Sequence, residues 1–223
     1  MSGSDSVTAQ EEATDTLEGL SHYDRRALDR LIFFSDAVFA IAITLLVLNI
    51  AVPVIRPGAE GTEFTPALLA TVPSIFSYAL SFLVIGAYWL AHMRTFHHVV
   101  RFDRRLAALN LLFLLFVAFI PFPTALIGAY GSQLGAVVLY AATIAITGLV
   151  LNLVWFYISH DHRLLAKTVT TQLIRERTRR YFTVPLVFCA SIVVAFVSIP
   201  VARLMWPLAY VIVLLLSGRS HAA

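Results

Sequence analysis

Six long apolar stretches, separated by short charged connections, constrain this chain more than any other feature. Hydrophobic residues make up 59% of its 223 positions and charged residues 13%, against about 25% charged residues in an average soluble domain. With a mean hydropathy of +0.83, the chain cannot hide its apolar surface inside one globule. We therefore expect an integral membrane protein, not a soluble enzyme, a nucleic-acid-binding domain or a disordered chain. The stretches are Leu31–Val52, Pro66–Ala91, Leu106–Ile127, Leu134–Ser159, Phe182–Ile199 and Val201–Ser217.

The apolar stretches predict an all-α fold with six transmembrane helices. Each is long enough to cross a hydrocarbon core of about 30 Å at about 1.5 Å of rise per residue. None alternates apolar and polar residues as the strands of a membrane barrel do. The last two stretches are the shortest and are joined by little more than Pro200, so a single re-entrant hairpin is an alternative there.

The two ends of the chain are polar. Residues 1–20 are acidic and no basic region leads into a short apolar stretch, which is not typical of a secretory signal peptide. Their low apolar content predicts disorder. We therefore divide the chain into a mostly disordered cytoplasmic tail over residues 1–28, a six-helix transmembrane domain over residues 29–218 and a C-terminal tail over residues 219–223.

The distribution of basic residues predicts the orientation of the helices. If the N-terminus is cytoplasmic, 14 of the 16 lysines and arginines fall on the inner side and only Arg56 and Arg203 on the outer side. The positive-inside rule predicts this bias for six spans with both termini in the cytoplasm. The basic run at Arg175–Arg180 has two interpretations, a signal for inside orientation or a site for anionic lipid headgroups, and we favour the first. Nucleic acid is not an expected partner.

Motifs for enzymatic chemistry are absent from the sequence. It has no HExxH, CxxC, GxSxG, P-loop or dinucleotide fingerprint, and its single cysteine, Cys189, excludes an intramolecular disulfide framework. His92, His97 and His98 are closely spaced, but the neighbouring arginines would repel a cation. We expect no enzyme activity, no cofactor and no metal site.

The first apolar stretch carries the most informative polar residues. Ser35 and Asp36 lie about two turns into it, and a charged side chain inside a membrane helix needs a partner. Trp89 and His92, three residues apart and so on one face of the second helix, are candidate partners. We interpret Asp36 as a buried hydrogen-bond acceptor in preference to an ion-binding carboxylate.

A helical wheel separates Asp36 from an apolar stripe on the same helix. At about 100° per residue, Asp36 lies roughly 140° from Ile41. From spacing alone, a lipid-facing or helix-packing stripe is the simpler interpretation, because leucines at helical spacing are common in membrane helices. The stripe contains Arg30, Phe34, Ile41, Leu45 and Leu48, with Thr44 at its edge.

Four residues of the first helix, Arg30, Phe34, Ser35 and Asp36, match the signature R-x-x-x-F-S-D. In this the sequence resembles the transmembrane protein 175 family of potassium channels, in its short bacterial form. The continuation AVFAIAITLLVLNI and the stretches Tyr88–His97 and Asn110–Gly128 are similar to the family's first, second and third helices. The resemblance covers about half of the chain, in the family's order, and the last three helices carry no matching motif.

The resemblance implies a function and an assembly. Members form cation channels that select potassium over sodium without a TVGYG carbonyl filter, and that sequence is absent here. Short bacterial members have one six-helix unit and form homotetramers around a central pore lined by the first helix. The resemblance also implies a bacterial inner membrane as the location.

The resemblance further implies roles for particular residues. Ile41 falls on the family's apolar pore constriction, with Leu45 and Leu48 further along the pore and Thr44 on a threonine layer. A ring of isoleucines would select by size and by dewetting, so we expect modest selectivity. A structural network near the cytoplasmic end is implied for Arg30, Phe34, Ser35, Asp36, Trp89 and His92.

Two other functions compete with the channel. A proton-coupled secondary transporter would use Asp36 as its titrating carboxylate and would need an inverted repeat or broken helices near the midplane. The sequence has no evident repeat, although Pro121 and Pro123 are placed to break the third helix. A membrane scaffold that binds lipid through Arg175–Arg180 would conduct no ions.

Overall fold

The structure, a computed structural model, describes residues 4–160, 164–165 and 169–218, with side chains for residues 22–59, 61–160, 164–165 and 169–208. Arg163 and Lys167 of the predicted inner-side set lie outside the described residues. So does the predicted tail over residues 219–223, with Arg219.

Eight α-helices and one turn of 3-10 helix make up most of the described chain, so the predicted all-α fold is confirmed. The extended residues that pair in this part of the chain are Val99 and Leu165, which form an isolated β-bridge. The helices are α1 (Ser4–Leu45), α2 (Glu60–Ala70), α3 (Val72–Phe96), α4 (Arg104–Phe119), α5 (Pro121–Tyr130), α6 (Leu134–Ser159), α7 (Thr171–Ala195) and α8 (Ile199–Gly218), and the 3-10 turn Leu46–Asn49 continues α1.

The first helix is longer than its apolar stretch. It begins at Ser4, so most of the tail for which the composition predicts disorder continues α1 in the structure. The tail contains glutamate, glutamine, alanine and leucine, which have high helix propensity. A transmembrane helix already supplies the costly nucleus, so adding such residues to its end is easy.

Five segments of the described chain are long and apolar enough to cross a membrane. The second consists of α2 and α3 in succession, and the third of α4 and α5. Helix α8, with 20 residues, stands where the sixth span is predicted, and about 20 residues suffice to cross the hydrocarbon core. The five spans are His22–Asn49, Gly61–Phe96, Arg104–Tyr130, Leu134–Ser159 and Thr171–Ala195.

Proline breaks the third span at Ile120. Pro121 has no N–H to donate to Val117, so α4 ends at Phe119 and α5 begins at Pro121. The Thr124 hydroxyl donates to the Ile120 carbonyl at 2.9 Å, and the backbone N–H of Ile120 donates to the Val117 carbonyl at 3.2 Å. The Val117 carbonyl that Pro121 frees therefore has a donor within the protein, as the low-dielectric membrane interior requires.

The last two apolar stretches form a hairpin of two full helices. Helix α7 has 25 residues and α8 has 20. The Trp206 indole N–H donates to the Ser191 hydroxyl at 3.0 Å, and the Trp206 ring stacks on Phe188 with centroids 6.0 Å apart. Residues equally far from the turn thus meet, which indicates antiparallel packing and favours two helices over the re-entrant alternative.

Helix α6 is the centre of the chain's core. Half of the residues in its most apolar part are buried. A helix that is apolar on all sides belongs in the interior of the protein. Against it lies α7, where Pro185 leaves the Tyr181 carbonyl without its usual helical donor. The Asn152 side-chain amide donates to that carbonyl at 3.0 Å, so α6 repairs the defect in α7.

A glycine permits this close approach. A Cβ atom at Gly148 would lie 2.6 Å from Pro185 Cγ and 3.0 Å from the Tyr88 hydroxyl, and overpacking of this kind costs about 1–3 kcal/mol. We expect Gly148→Ala to lower the midpoint of thermal unfolding in detergent by several degrees. Gly86→Ala is the control, because a Cβ atom at Gly86 would have no neighbour within 4 Å. Equal midpoints for the two variants would contradict the tight contact.

Candidate functional site

Helix α1 has one buried face and one exposed face. The buried residues, which recur at intervals of seven, four, three and four positions, contact the rest of the chain. On the opposite face the side chains of Arg30, Phe33 and Phe34 are exposed, as are Ile41 and Leu48 further along. The buried residues are Leu28, Ser35, Phe39, Ala42 and Leu46.

The residues predicted to line a pore all lie on the exposed face. Ile41 is 58% exposed, Leu45 42% and Leu48 75%. The Thr44 side chain is also exposed, and its hydroxyl donates to the backbone carbonyls of Ala40 and Ile41 at 3.0 and 2.9 Å. Because the hydroxyl proton is held by the helix, the oxygen's lone pairs are the groups that Thr44 offers outward.

A directed hydrogen-bond chain fixes the buried face of α1 to two neighbouring helices. The Ser35 hydroxyl donates to the Leu31 carbonyl at 2.7 Å, and the Asn110 amide of α4 donates to the Ser35 oxygen at 2.9 Å. The Asn110 carbonyl oxygen then lies 2.9 Å from His92 Nε2 of α3. An amide oxygen only accepts, so His92 Nε2 carries the proton and the chain runs from His92 to Leu31.

Aromatic rings enclose the histidine of this chain. The His92 ring stacks on Phe113 with centroids 5.8 Å apart and lies 4.4 Å from the Phe96 ring and 5.7 Å from Phe39. Its other nitrogen, Nδ1, is buried and has no hydrogen-bond partner in the described part of the chain. The aromatic enclosure restricts His92 to one orientation and so fixes the direction of its single strong bond.

Asp36 has a separate partner. The indole N–H of Trp89 donates to the Asp36 carboxylate at 2.8 Å, and the Asp36 side chain is half-buried. A carboxylate at this depth needs such a donor. Ser35 therefore bonds to Asn110 of α4, and the adjacent Asp36 bonds to Trp89 of α3. These two bonds hold α1 against two different helices.

The structure brings together four of the six residues predicted to form a network. Ser35 and Asp36 of α1 bind residues on α3 and α4, and Trp89 and His92 of α3 take part. Arg30 and Phe34 are exposed on the opposite face of α1, so within one chain they lie outside this network.

Two further polar contacts of α1 were not predicted from the sequence. Asn110 is the central residue of the buried hydrogen-bond chain. In the sequence, the sign of such a role is a single asparagine within an apolar stretch. Asn49, in the 3-10 turn after α1, donates to the Pro121 carbonyl at 2.9 Å. This bond anchors the other end of α1 to the break between α4 and α5, so both ends of its apolar stripe are held.

His98, one of the two histidines after α3, takes part in a structural contact with α7. The described residues contain no group of three or more His, Cys, Asp or Glu placed to hold a metal ion. Arg177 of α7 donates to the Arg94 carbonyl at 2.6 Å and to His98 Nε2 at 2.8 Å, and its guanidinium lies 5.6 Å from the centroid of the Trp155 ring. His98 is therefore an acceptor and is neutral.

This contact predicts a dependence of stability on pH. Burial, and then the charges of Arg177 and His97, lower the pKa of His98 below its usual value. The folded state therefore binds fewer protons than the unfolded state, and the free energy of unfolding decreases as pH falls below about 6.5. We expect His98→Gln, which keeps an acceptor but does not titrate, to reduce the fall in unfolding midpoint between pH 8 and pH 5. Identical pH profiles for the variant and the parent would show that His98 has no part in this dependence.

Comparison with known proteins identifies the family. The family model described as "Endosomal/lysosomal potassium channel TMEM175" matches residues 30–121, which include every residue of the network on α1, α3 and α4. A potassium channel of Streptomyces collinus is 38% identical over 173 residues, which cover 75% of this chain and 82% of that protein. The chain belongs to the TMEM175 family. The prediction of a channel family instead of an enzyme is thereby confirmed.

A solved TMEM175 structure and a vertebrate protein are also similar to this chain. A crystal structure of a lysosomal potassium-selective channel TMEM175 homolog from Chamaesiphon minutus matches with a TM-score of 0.74 at 30% identity, over 87% of this chain and 98% of that one. A protein of Danio rerio named endosomal/lysosomal proton channel TMEM175 is 30% identical over 145 residues, which cover 65% of this chain and 27% of that protein.

Proposed function

We propose that the chain is a potassium-selective cation channel that acts as a homotetramer, with the exposed face of α1 lining a central pore. One six-helix subunit has no symmetry axis of its own, and closed rotational symmetry brings four copies of one helix around a pore. The bacterial relative and the solved homolog, both described as potassium channels, support the choice of ion. The observation that carries the proposal is the division of α1 into an anchored polar face and an exposed apolar face.

The proposed constriction is a ring of Ile41 side chains, with Leu45 and Leu48 further along the pore. Ile41 projects from the helix opposite the buried Phe39 and Leu46, and a narrow apolar ring resists wetting. It penalises the more strongly hydrated sodium ion more than potassium, because no carbonyl cage replaces the lost water. Thr44 oxygens offer partial compensation to a partly dehydrated potassium ion, so we propose modest selectivity.

The network around Ser35 and Asp36 is proposed to position the pore helix. Its bonds join α1 to α3 and α4, on the side of α1 away from the proposed pore. In the tetramer we place Arg30 and Phe34 at the inner pore entrance, since they share the exposed face with Ile41. We further propose that the protein lies in a bacterial inner membrane with both termini in the cytoplasm, where Arg175 and Arg179 of α7 are exposed to anionic headgroups.

Planar-bilayer recording of the purified protein tests the channel. Under bi-ionic conditions with potassium on one side and sodium on the other, we expect a reversal potential that favours potassium. Well-behaved protein that gives silent bilayers would contradict the proposal. Adding a proton gradient to the same recording measures proton permeation, for which the Danio rerio relative is named.

A proton-coupled transporter is the second candidate, and the break in the third span favours it. Broken helices near the midplane form the binding sites of many secondary transporters. Here, however, Thr124 and Asn49 donate to the Ile120 and Pro121 carbonyls at the break, and Trp89 donates to the half-buried Asp36 carboxylate. Liposome flux that saturates with potassium and depends stoichiometrically on a proton gradient would favour the transporter.

A further inference from the structure

A cleft of about 880 Å³ opens at the end of the molecule opposite the basic run of α7. It lies where α3 begins, α5 gives way to α6, and α7 turns into α8. Its lining is mostly apolar and includes Phe76, Ile199, Leu204 and Pro207. The described lining contains one ionisable side chain, Arg203, and no acidic residue. The cleft thus combines an apolar wall with a single positive charge.

The Arg203 guanidinium has more N–H donors than its one hydrogen bond in the described structure uses. Its Nη1 donates to the Gly131 carbonyl at 3.3 Å, and a guanidinium carries five N–H donors. A Cβ atom at Gly131 would lie 2.7 Å from the Ile127 carbonyl oxygen and 3.0 Å from Arg203 Nη1, so glycine suits this crowded corner. A guanidinium near the ends of membrane helices extends its charge to the interface, where lipid headgroups lie. The described part of the chain gives it one backbone carbonyl.

The same cleft offers an acceptor and hydroxyl groups. Pro207 has no N–H, so the Arg203 carbonyl lacks the donor that the next helical turn normally supplies. Ser132 and Ser198 also line the cleft. Donors, an acceptor and an apolar wall at the ends of the helices complement an amphiphile with a phosphate headgroup and an acyl chain.

We propose that this cleft binds one anionic phospholipid, with its phosphate on Arg203 and an acyl chain against Phe76, Ile199 and Leu204. Charge complementarity selects a headgroup with net negative charge. The ammonium of a zwitterionic lipid would find no acidic side chain here, whereas an anionic headgroup pairs with Arg203 alone. The basic residues predicted for the outer side are Arg56 and Arg203, so this lipid belongs to the outer leaflet and differs from headgroups bound at Arg175–Arg180.

Native mass spectrometry of the purified protein, titrated with phosphatidylglycerol or phosphatidylcholine, tests the site. All variants carry Arg175→Gln and Arg179→Gln, which reduces headgroup binding at the other end of the molecule. In this background we expect phosphatidylglycerol to bind more tightly than phosphatidylcholine. Adding Arg203→Gln should weaken phosphatidylglycerol binding roughly fivefold, and Arg203→Lys should restore part of the difference.

Two variants separate the cleft from general charge. Arg56→Gln removes the other predicted outer charge and should leave phosphatidylglycerol binding unchanged. Leu204→Trp keeps the charge but fills the cleft from a side chain that is 66% exposed, and it should weaken binding even if Arg203→Gln fails to fold. The proposal is overturned by equal binding of the two lipids in the background protein. It is also overturned by equal losses in Arg56→Gln and Arg203→Gln, or by full binding in Leu204→Trp. The readout is lipid mass, so failure of ion conduction has no bearing on it.

Discussion

Replacing Ile41 with asparagine will raise the single-channel conductance of the protein and bring its potassium-to-sodium permeability ratio close to one. In the proposed tetramer, four apolar side chains that resist wetting become four amides that hold water. Hydrated sodium then passes the constriction about as easily as potassium. A rise of roughly tenfold in conductance corresponds to a barrier lower by about 1.4 kcal/mol. Single-channel recording under bi-ionic potassium and sodium measures both quantities.

The matched control for this change is Ile146→Asn. Ile146 lies on α6 and is 41% exposed, against 58% for Ile41, so the same polar substitution is made on an exposed helix face that does not line the proposed pore. Thr44→Ala should lower the permeability ratio with a smaller change in conductance, because it removes an oxygen and leaves the apolar ring. Permeability ratios that stay unchanged in both Ile41→Asn and Thr44→Ala would refute the assignment of the constriction.

The exposed face of α1 is predictable from sequence only in part. The helical wheel places Ile41, Leu45 and Leu48 together and Asp36 elsewhere, and the structure has the same arrangement. A wheel does not tell which face meets protein, because both faces of a membrane helix are apolar. The burial of Ser35 and Phe39 shows which face of α1 contacts protein. That burial depends on the partners that α3 and α4 supply.

Contacts between distant segments are the part that sequence does not predict. Asn110 lies 75 positions from Ser35, Asn152 lies 29 from Tyr181, and Asn49 lies 72 from Pro121. Asn152 binds the Tyr181 carbonyl that Pro185 frees, and Asn49 binds the carbonyl of Pro121 itself; both prolines are visible in the sequence. Which side chain donates to each carbonyl depends on how the helices pack, and no periodicity within one helix contains that information.

Replacing Asn110 with leucine will destabilise the protein by about 1–3 kcal/mol. Leucine has a similar volume, so the packing around Phe113 is kept. The His92 Nε2 proton, however, is left buried without an acceptor, and Ser35 loses a donor. A net side-chain hydrogen bond in a membrane contributes only about 0.6 kcal/mol, so most of the loss comes from the unpaired groups. Thermal or denaturant unfolding in detergent measures it.

Asn152→Leu is the control, because Asn152 is also buried, at 6% exposure, but binds Gly148 and Tyr181 away from α1. Leucine removes the Oδ1 atom that lacks a partner in the described structure, but it also takes the side-chain donor from the Tyr181 carbonyl. The loss in this variant therefore measures the cost of unpairing a buried group away from α1. A double-mutant cycle then isolates the chain through α1. Ser35→Ala should cost less in the Asn110→Leu background than alone, since its donor is already gone. If the two costs add, Ser35 and Asn110 act independently and the bonds between them do not hold α1 in place.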